Sequence, residues 1–531
     1  MVGATGPSAS AAASPYFRHG VASGDPLPDR VLLWTRLTPA PRLVPGVGSG
    51  PTVSGRWQVA SDPTFVSLRA SGGFTTSATA DYTVKVDARG LSPDAPYYYR
   101  FLYNGAASPV GRTRTAPAVT ASPSNLRFGV VSCSNLQAGY FSSYRHLASR
   151  DDLHAVLHLG DYVYEYGPGE YGYGHDNRDI RPHVPAREMV SLRDYRQRHG
   201  QYKQDVDLQR LHAKVPFIVT WDDHESSNDA YRDGAENHTP ASEGNWQRRK
   251  ASAHRAYDEW MPTRMSGTAA TGDGDRLYRS LRFGTLANLS LLDLRSYRSQ
   301  QVGQTALDDV DDPTRTITGD PQMTWLKNQL LTPVQWKVVG NPVMITPVVF
   351  PPLPSSLTDA VNDVTGLLPP DGVPYNVDQW DGYTADRSEL FNHLADNGVR
   401  NAVFLTGDIH SGWACDLPVD VGTYPLSTTV GTEFVCTSIT SNNLDDITGS
   451  PPRTSSIAVE EGFKSVNRHV KYLNFDDHGY SVVDITAARM QMDYYTISDR
   501  ADPHGTSSWS QSWATNADTQ RVHRVVGGPV R

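Results

Sequence analysis

The chain has 531 residues, 57 acidic against 48 basic side chains and a formal net charge of −9. That balance excludes a generic polyanion binder, and no apolar run approaches the ~20 residues that span a bilayer. The length exceeds what one core usually serves, so two domains are expected, and an anionic ligand would need local positive charge from metals or a few arginines.

The first fifteen residues, "MVGATGPSASAAASP", are small and low in complexity. They lack the charged and apolar regions of a signal peptide and read as the disordered remnant of a processed, secreted leader. Residues 16–118 then carry short β-branched and aromatic runs bounded by turn residues, at 30–39, 55–62, 81–91 and 96–105. These predict a small β-sandwich of immunoglobulin or fibronectin type; "GLSPDAPYYYRF" resembles the turn-then-strand segment of fibronectin-III domains. "TAPAVTASPSN" (115–125) reads as a linker into a second domain, 119–531.

From Leu126 the grammar changes. "LRFGVVSC" reads as a buried strand, "AGYFSSYRHLASR" as a helix and "HAVLHLG" as a strand. A helix over 191–212, the strand "VPFIVTW" and a helix over 244–260 follow, then strands near 276–283 and 286–292. A helix over 321–331, the strand "QWKVVGNPVM", the helix "ADRSELFNHLADNG" and the strand "NAVFLTG" complete the pattern. Alternating strands and helices predict an α/β domain whose largely parallel sheet is covered on both faces. The segment 346–376 is apolar and proline-rich with weak secondary-structure signals. It reads either as a packed surface loop or as a substrate-covering or lipid-contacting segment.

Four strand-like runs end in polar clusters. "FGVVSCSN" ends at Cys133 and Asn135, and "VLHLGDYVY" at Asp161 and Tyr164. "PFIVTWDDHESSN" ends at Asp222, Asp223, His224 and Asn228, and "NAVFLTGDIHSGW" at Asp408 and His410. Each alone has an ordinary explanation: a turn, an N-cap or a small buried thiol. Sites in open α/β sheets collect at the carboxyl ends of strands, so all four clusters would share one rim. Several carboxylates buried together are costly unless cations compensate them. Mixed Asp, Asn, His, Tyr and Cys donors suit a transition metal beside a harder cation, and a tyrosinate with a thiolate favours Fe³⁺. The three cysteines are an odd count; Cys415 and Cys436 could pair, leaving Cys133 over.

Strand–Gly-Asp-x-x-Tyr, strand–Asp-His-Glu and Gly-Asp-x-His resemble the calcineurin-like metallophosphoesterases and purple acid phosphatases. The stretches at 19–39, 132–148, 157–167, 220–229, 291–298 ("LLDLRSYR"), 379–383 ("QWDGY") and 405–417 more closely resemble PhoD-type alkaline phosphatases and phosphodiesterases. They include the branch of streptomycete phospholipases D that lacks the HxKxxxxD motif, which is absent here too. The resemblance implies a four-layer α/β/β/α sandwich after the small N-terminal β-sandwich, with Fe³⁺ and Ca²⁺. It implies that Cys133, Asp161 and Tyr164 bind iron, that Asp161 bridges to calcium, and that Asp222, Asn228, Asp408 and His410 complete the set. It also implies export by the twin-arginine route.

The expected chemistry is hydrolysis of a phosphodiester, phospholipids included, by a metal-activated hydroxide. Alkaline phosphomonoesterase activity and metal or phosphate binding without turnover are the alternatives. Arg295 or Arg298 would hold a phosphate oxygen, and His224 would protonate the leaving oxygen or orient a ligand. A monomer with peripheral contact to lipid aggregates and no nucleic-acid partner is expected.

Overall fold

The computed structural model describes residues 14–265, 276–303, 307–350 and 373–530. Most of the apolar segment 346–376 lies outside them, and so does its expected role at a lipid surface.

Two large sheets lie face to face. The first has ten strands in the order Val522–Val525, Ser507–Asn516, Arg489–Ile497, Gly479–Thr486, Asn125–Val131, Ala155–Leu159, Phe217–Thr220, Val21–Leu27, Arg30–Arg36 and Thr83–Arg89. Its centre is parallel: Asn125–Val131, Ala155–Leu159 and Phe217–Thr220 run the same way. The second has seven strands, with Ala287–Leu291, Trp336–Asn341, Ala402–Thr406 and Thr429–Val435 parallel at its middle. Leu126, Phe128, Leu157 and Leu159 meet Leu289, Leu291, Val338 and Leu405 between the sheets. Strands buried on both sides are apolar nearly throughout rather than alternating, and all five residues of Ala155–Leu159 are buried.

Helices cover both outer faces. Tyr144 and Leu147 of Ser142–Ala148, Leu208 and Leu211 of Val206–Lys214, and Ala253 and Tyr257 of Trp246–Trp260 pack on the first sheet. Met323 and Leu326 of Asp320–Leu330 and Leu390 and Phe391 of Thr384–Asp396 pack on the second. The result is the expected α/β/β/α order. The helix expected over 191–212 is two, Leu192–Tyr202 and Val206–Lys214, because the Asp205 side chain caps a new start by accepting from the Asp207 and Leu208 amides.

In the N-terminal region, Leu68–Thr76, Val53–Ala60, Pro96–Tyr103 and Ala106–Ala107 form a separate small sheet, with Gly111–Arg114 paired to Pro96–Tyr103. Val31, Leu33, Val59, Phe74, Tyr99 and Phe101 fill the space beneath it. The facing strands belong to the ten-stranded sheet, joined where Gly24 pairs with Phe217. A Cβ at Gly24 would lie 2.0 Å from the Pro262 carbonyl oxygen, so only glycine fits there. Hydrogen bonding therefore runs across the linker read near residue 118.

All three cysteines are buried free thiols. Cys415 and Cys436 do not pair, because they face opposite sides of the seven-stranded sheet. Cys415 lies with Met344, Trp413 and Val435, and Cys436 in the core between the sheets.

Candidate metal centre

The parallel strands of both sheets deliver their carboxyl ends to one rim, stitched by a bridge between Ser132 and Ser438. The chain turns sharply at four of the ligand-bearing positions. Cys133 (φ 58°), Asp161 (φ 56°), Asp408 (φ 65°) and His410 (φ 51°) all have left-handed backbone. Each such non-glycine residue costs roughly 1–2 kcal/mol, a strain that recurs where side chains are aimed for function. Gly160 (φ +108°) permits one of these turns; a Cβ there would sit 2.5 Å from Cβ of Asp222.

Two groups of ligand atoms result, and Asp161 belongs to both. Atoms of Cys133, Asp161 and His410 lie within 4.8 Å of one another, and so do atoms of Asp161, Asp223 and His224. The Tyr164 hydroxyl joins the first group, donating to Asp161 Oδ2 at 2.8 Å and lying 3.5 Å from His410 Nε2. His410 Nδ1 lies 2.9 Å from the Asn442 carbonyl oxygen. It therefore carries the proton, and Nε2 presents its lone pair to the group. Burial pushes His410 down to about 4, which keeps the ring neutral. Asn228 and Asp408 stand on the wall of the adjoining cavity.

The sequence-predicted residues Cys133, Asp161, Tyr164 and His410 thus converge. Asp222 is placed differently. Its two oxygens accept from Arg295 Nε at 2.5 Å and Nη2 at 3.0 Å, and it is the neighbouring Asp223 whose carboxylate faces Asp161 and His224. The arginines also sit elsewhere than expected. Arg295 binds Asp378 at 2.9 Å as well as Asp222. Arg298 donates to Asp378 Oδ1 at 2.5 Å and to its carbonyl at 2.9 Å. Both are buried, and neither lines the cavity. The geometry makes them counter-ions of the carboxylate frame, with Arg295 also 3.8 Å from Asp223 and Asp408.

Three supporting carboxylates went unassigned in the sequence. Glu225 accepts from the amides of Tyr162 (2.6 Å), Asp222 (2.8 Å) and Asp161 (3.1 Å), tying two strand ends together. Glu165 accepts from His224 Nδ1 (2.8 Å), the Asn228 amide (2.7 Å) and Asn237 Nδ2 (3.0 Å). Asp378 anchors both arginines. The fifth strand end, after Thr429–Val435, was missed too. There Ser441 donates to the Tyr164 oxygen at 2.6 Å, and Asn442 orients His410. Its sequence, "TSITSNN", shows the same switch from buried strand to small polar residues.

Burial raises the Asp161 carboxyl well above its ordinary range, with Asp223, Asp222 and Glu225 adding to the rise against His224. Burial, then Asp161, raises the Cys133 thiol; burial, Asp161 and Cys133 raise the Tyr164 phenol. Asp222 is pushed up to about 8 by burial despite Arg295, and Asp408 to about 6. Burial also opposes charge on His224, but Asp223, Glu165 and Asp161 outweigh it and hold the imidazolium well above its usual range. Protons held this tightly on sulfur, phenol and carboxyl are what a bound cation displaces. Asp161 Oδ1 is buried without a hydrogen-bond partner, so a donor atom is left over for such a cation. The residues fit a metal.

Beside the group opens a cavity of about 660 Å³. Among the described residues, Asp161, Asp223, Asp229, Glu236, Asp378 and Asp408 line it, with Tyr166, Tyr171, His224, Gln300 and Gln301 and neither Lys nor Arg. The PhoD-like phosphatase family matches over residues 128–494, and the N-terminal domain of PhoD-like phosphatases over residues 4–117. The chain belongs to the PhoD-like phosphatase family. It is 35% identical over 514 residues to alkaline phosphatase D of Bacillus subtilis (strain 168), covering 96% of this chain and 82% of that protein. The solved structure of PhoD superposes with a TM-score of 0.84 at 34% identity, covering 99% of this chain and 94% of the other. The four-layer fold and the family are those of a phosphoric ester hydrolase.

Proposed function

We propose that this chain hydrolyses phosphoric esters, phosphodiesters above all, with the phosphoryl group held by cations rather than by arginines. The carrying observation is the cavity wall, where, among the described residues, six carboxylates stand without a Lys or Arg. A phosphate anion entering that field is repelled until cations are present. A diester brings one negative charge and two alcohol groups. The wide cavity accommodates both groups, and the one side-chain cation on its described wall, the protonated His224, is committed to the leaving oxygen rather than to the second charge of a monoester.

Soft and anionic donors assign iron to Cys133, Asp161, Tyr164 and His410. Oxygen donors assign calcium to Asp223, Asn228 and Asp408, with Asp161 shared. When bound, the cations neutralise phosphoryl oxygens and acidify a water. The chain's own residues do the rest. Glu165 fixes His224 through Nδ1 and keeps it protonated, so Nε2 can give a proton to the leaving oxygen. Glu225 holds the amides of Asp161 and Tyr162 in place, and Arg295 and Arg298 hold Asp222 and Asp378. No serine nucleophile is needed.

The name of the B. subtilis relative favours phosphomonoesters as a second reading. Phospholipids remain within the diester reading. Phe350 and Tyr375, in the described ends of the apolar segment, pack on Phe463 with ring centroids 5.3 and 5.0 Å apart. Secretion in a folded, metal-loaded form and action as a monomer belong to the same proposal. Metal analysis and side-by-side rates on an aryl phosphomonoester, a bis-aryl phosphodiester and phosphatidylcholine test it. Bound iron with the diester turned over fastest is expected. Protein without iron would overturn the metal assignment, and preference for the monoester the substrate assignment.

A further inference from the structure

The Tyr164 oxygen has a partner that no phosphoryl transfer step requires. Ser441 is fully buried. Its Oγ lies 2.6 Å from the Tyr164 oxygen and 3.1 Å from the Cys133 carbonyl oxygen. That carbonyl already accepts from the Thr440 and Ser441 amides, each at 3.3 Å. The Ser441 proton is therefore free for the shorter contact. The phenol's own proton points the other way, to Asp161 Oδ2 at 2.8 Å. Loss of that proton on metal binding leaves a phenolate that still accepts from Ser441.

The strand-end loop that carries Ser441 is clamped from behind. Ser438 Oγ donates to the Ser441 carbonyl at 2.7 Å and lies 3.0 Å from His478 Nδ1. His478 Nε2 lies 2.9 Å from Asp446 Oδ2. Arg500 reaches Asp446 at 2.7 Å and Asn442 Oδ1 at 2.8 Å, and also donates to the Thr440 carbonyl. Asn442, next in the chain, orients His410. One loop thus governs two donors of the iron group, and only Ser441 touches a donor atom with a proton of its own.

We infer that Ser441 is a positioning residue that sets the donor strength of Tyr164 toward the metal, by a hydrogen bond to the phenolate oxygen. The inference rests on the assignment of iron to the Cys133, Asp161, Tyr164 and His410 group. A hydrogen bond to an anionic oxygen stabilises its filled orbitals. Charge transfer from phenolate to Fe³⁺ then needs more energy, and Fe³⁺ is held less strongly against reduction. Removing the bond shifts the visible band to longer wavelength and lowers the reduction potential.

The experiment compares the purified, iron-loaded full chain with Ser441→Ala and Ser441→Thr. The alanine variant is expected to keep its iron and to absorb at longer wavelength by on the order of 20 nm, the size set by loss of one hydrogen bond to a charged group. The threonine variant, which keeps the hydroxyl, is expected to absorb where the parent does. Ser108→Ala serves as the control: it removes a buried hydroxyl of the N-terminal region, bonded to the Pro109 carbonyl at 2.8 Å, and should leave the band in place. An iron-loaded Ser441→Ala with an unmoved band overturns the inference and leaves the iron assignment standing. A parent protein without iron or without the band overturns the assignment, and the inference with it.

Discussion

Glu165→Gln separates the proposed proton donor from the rest of the centre. The carboxylate is fully buried and lies 2.8 Å from His224 Nδ1; burial resists its ionisation, but His224, Asn237 and the Asn228 amide pull it down to about 2. Glutamine keeps the shape. Its carbonyl can still accept from the Asn228 amide and Asn237, as Glu165 does at 2.7 and 3.0 Å. Its NH₂ group would face Nδ1, which then has to accept, so the imidazolium is lost. A hydrogen bond to a charged group is worth about 1.5–3 kcal/mol, or about 10–150-fold in rate. That loss should fall only on esters whose leaving oxygen needs a proton. The assay is kcat/KM across aryl phosphodiesters of rising leaving-phenol pKa, with iron content checked in parallel. Glu165→Gln should match the parent within a few-fold on the most acidic phenol and fall progressively behind on weaker ones. A uniform drop across the series would refute the assignment of His224 as proton donor.

Arg295→Met should destabilise the fold by about 3–5 kcal/mol, because Asp222 and Asp378 lose a buried counter-ion. Denaturant titration reads it, and a raised KM with unchanged stability would instead make Arg295 a phosphate grip. Gly160→Ala should cost about 1–3 kcal/mol through overpacking, since its Cβ would press on Asp222 at 2.5 Å, and deplete bound iron, since relief of that contact at φ +108° moves the adjoining Asp161; metal analysis with thermal denaturation checks both. Asp446 has its carboxyl held low by His478 and Arg500 against the opposing effect of burial. A depressed folded-state value means stability that is present above the ordinary Asp range and is lost as pH falls below it. The parent should therefore lose more thermal stability than Asp446→Asn between pH 5 and pH 3, and parallel curves would contradict the clamp.

Much of the fold is legible because strands buried on both faces are unbroken apolar runs, and their ends are marked by an abrupt switch to polar residues. "HAVLHLG" before Asp161 and "NAVFLTG" before Asp408 show both signals. The C-terminal strands Gly479–Thr486 through Val522–Val525 went unread. They are mixed in composition because they form the antiparallel flank of the sheet, where side chains such as Asp484, Gln491 and Asp493 find hydrogen-bond partners instead of core. The site was legible at the level of rim and residue type, yet not at the level of aim. Asp222 and Asp223 are adjacent and chemically identical. Which one reaches the ligand group depends on Arg295, 73 positions later, claiming the first. Likewise "LLDLRSYR" shows two arginines without showing that Asp378 lies in wait for both.

The division of labour among these charges explains why the cavity is so acidic. Arg295 and Arg298 are spent inside the frame, where they let Asp222 and Asp378 be buried at all. Without them the strand ends could not carry so many carboxylates side by side. Past them, the protonated His224 is the one positive side chain among the described residues that line the cavity, and Asp161, Asp223 and Asp408, the last two 3.8 Å from Arg295, are left for cations to neutralise further. Fixed arginines build the frame, and exchangeable cations bind the anion. In such a site, removing a cation restores repulsion of the substrate, whereas removing an arginine dismantles the frame that holds the ligands in place. The two losses should therefore differ in kind. Chelation should abolish turnover in a protein that refills and recovers, and Arg295→Met should yield a protein that no added metal restores.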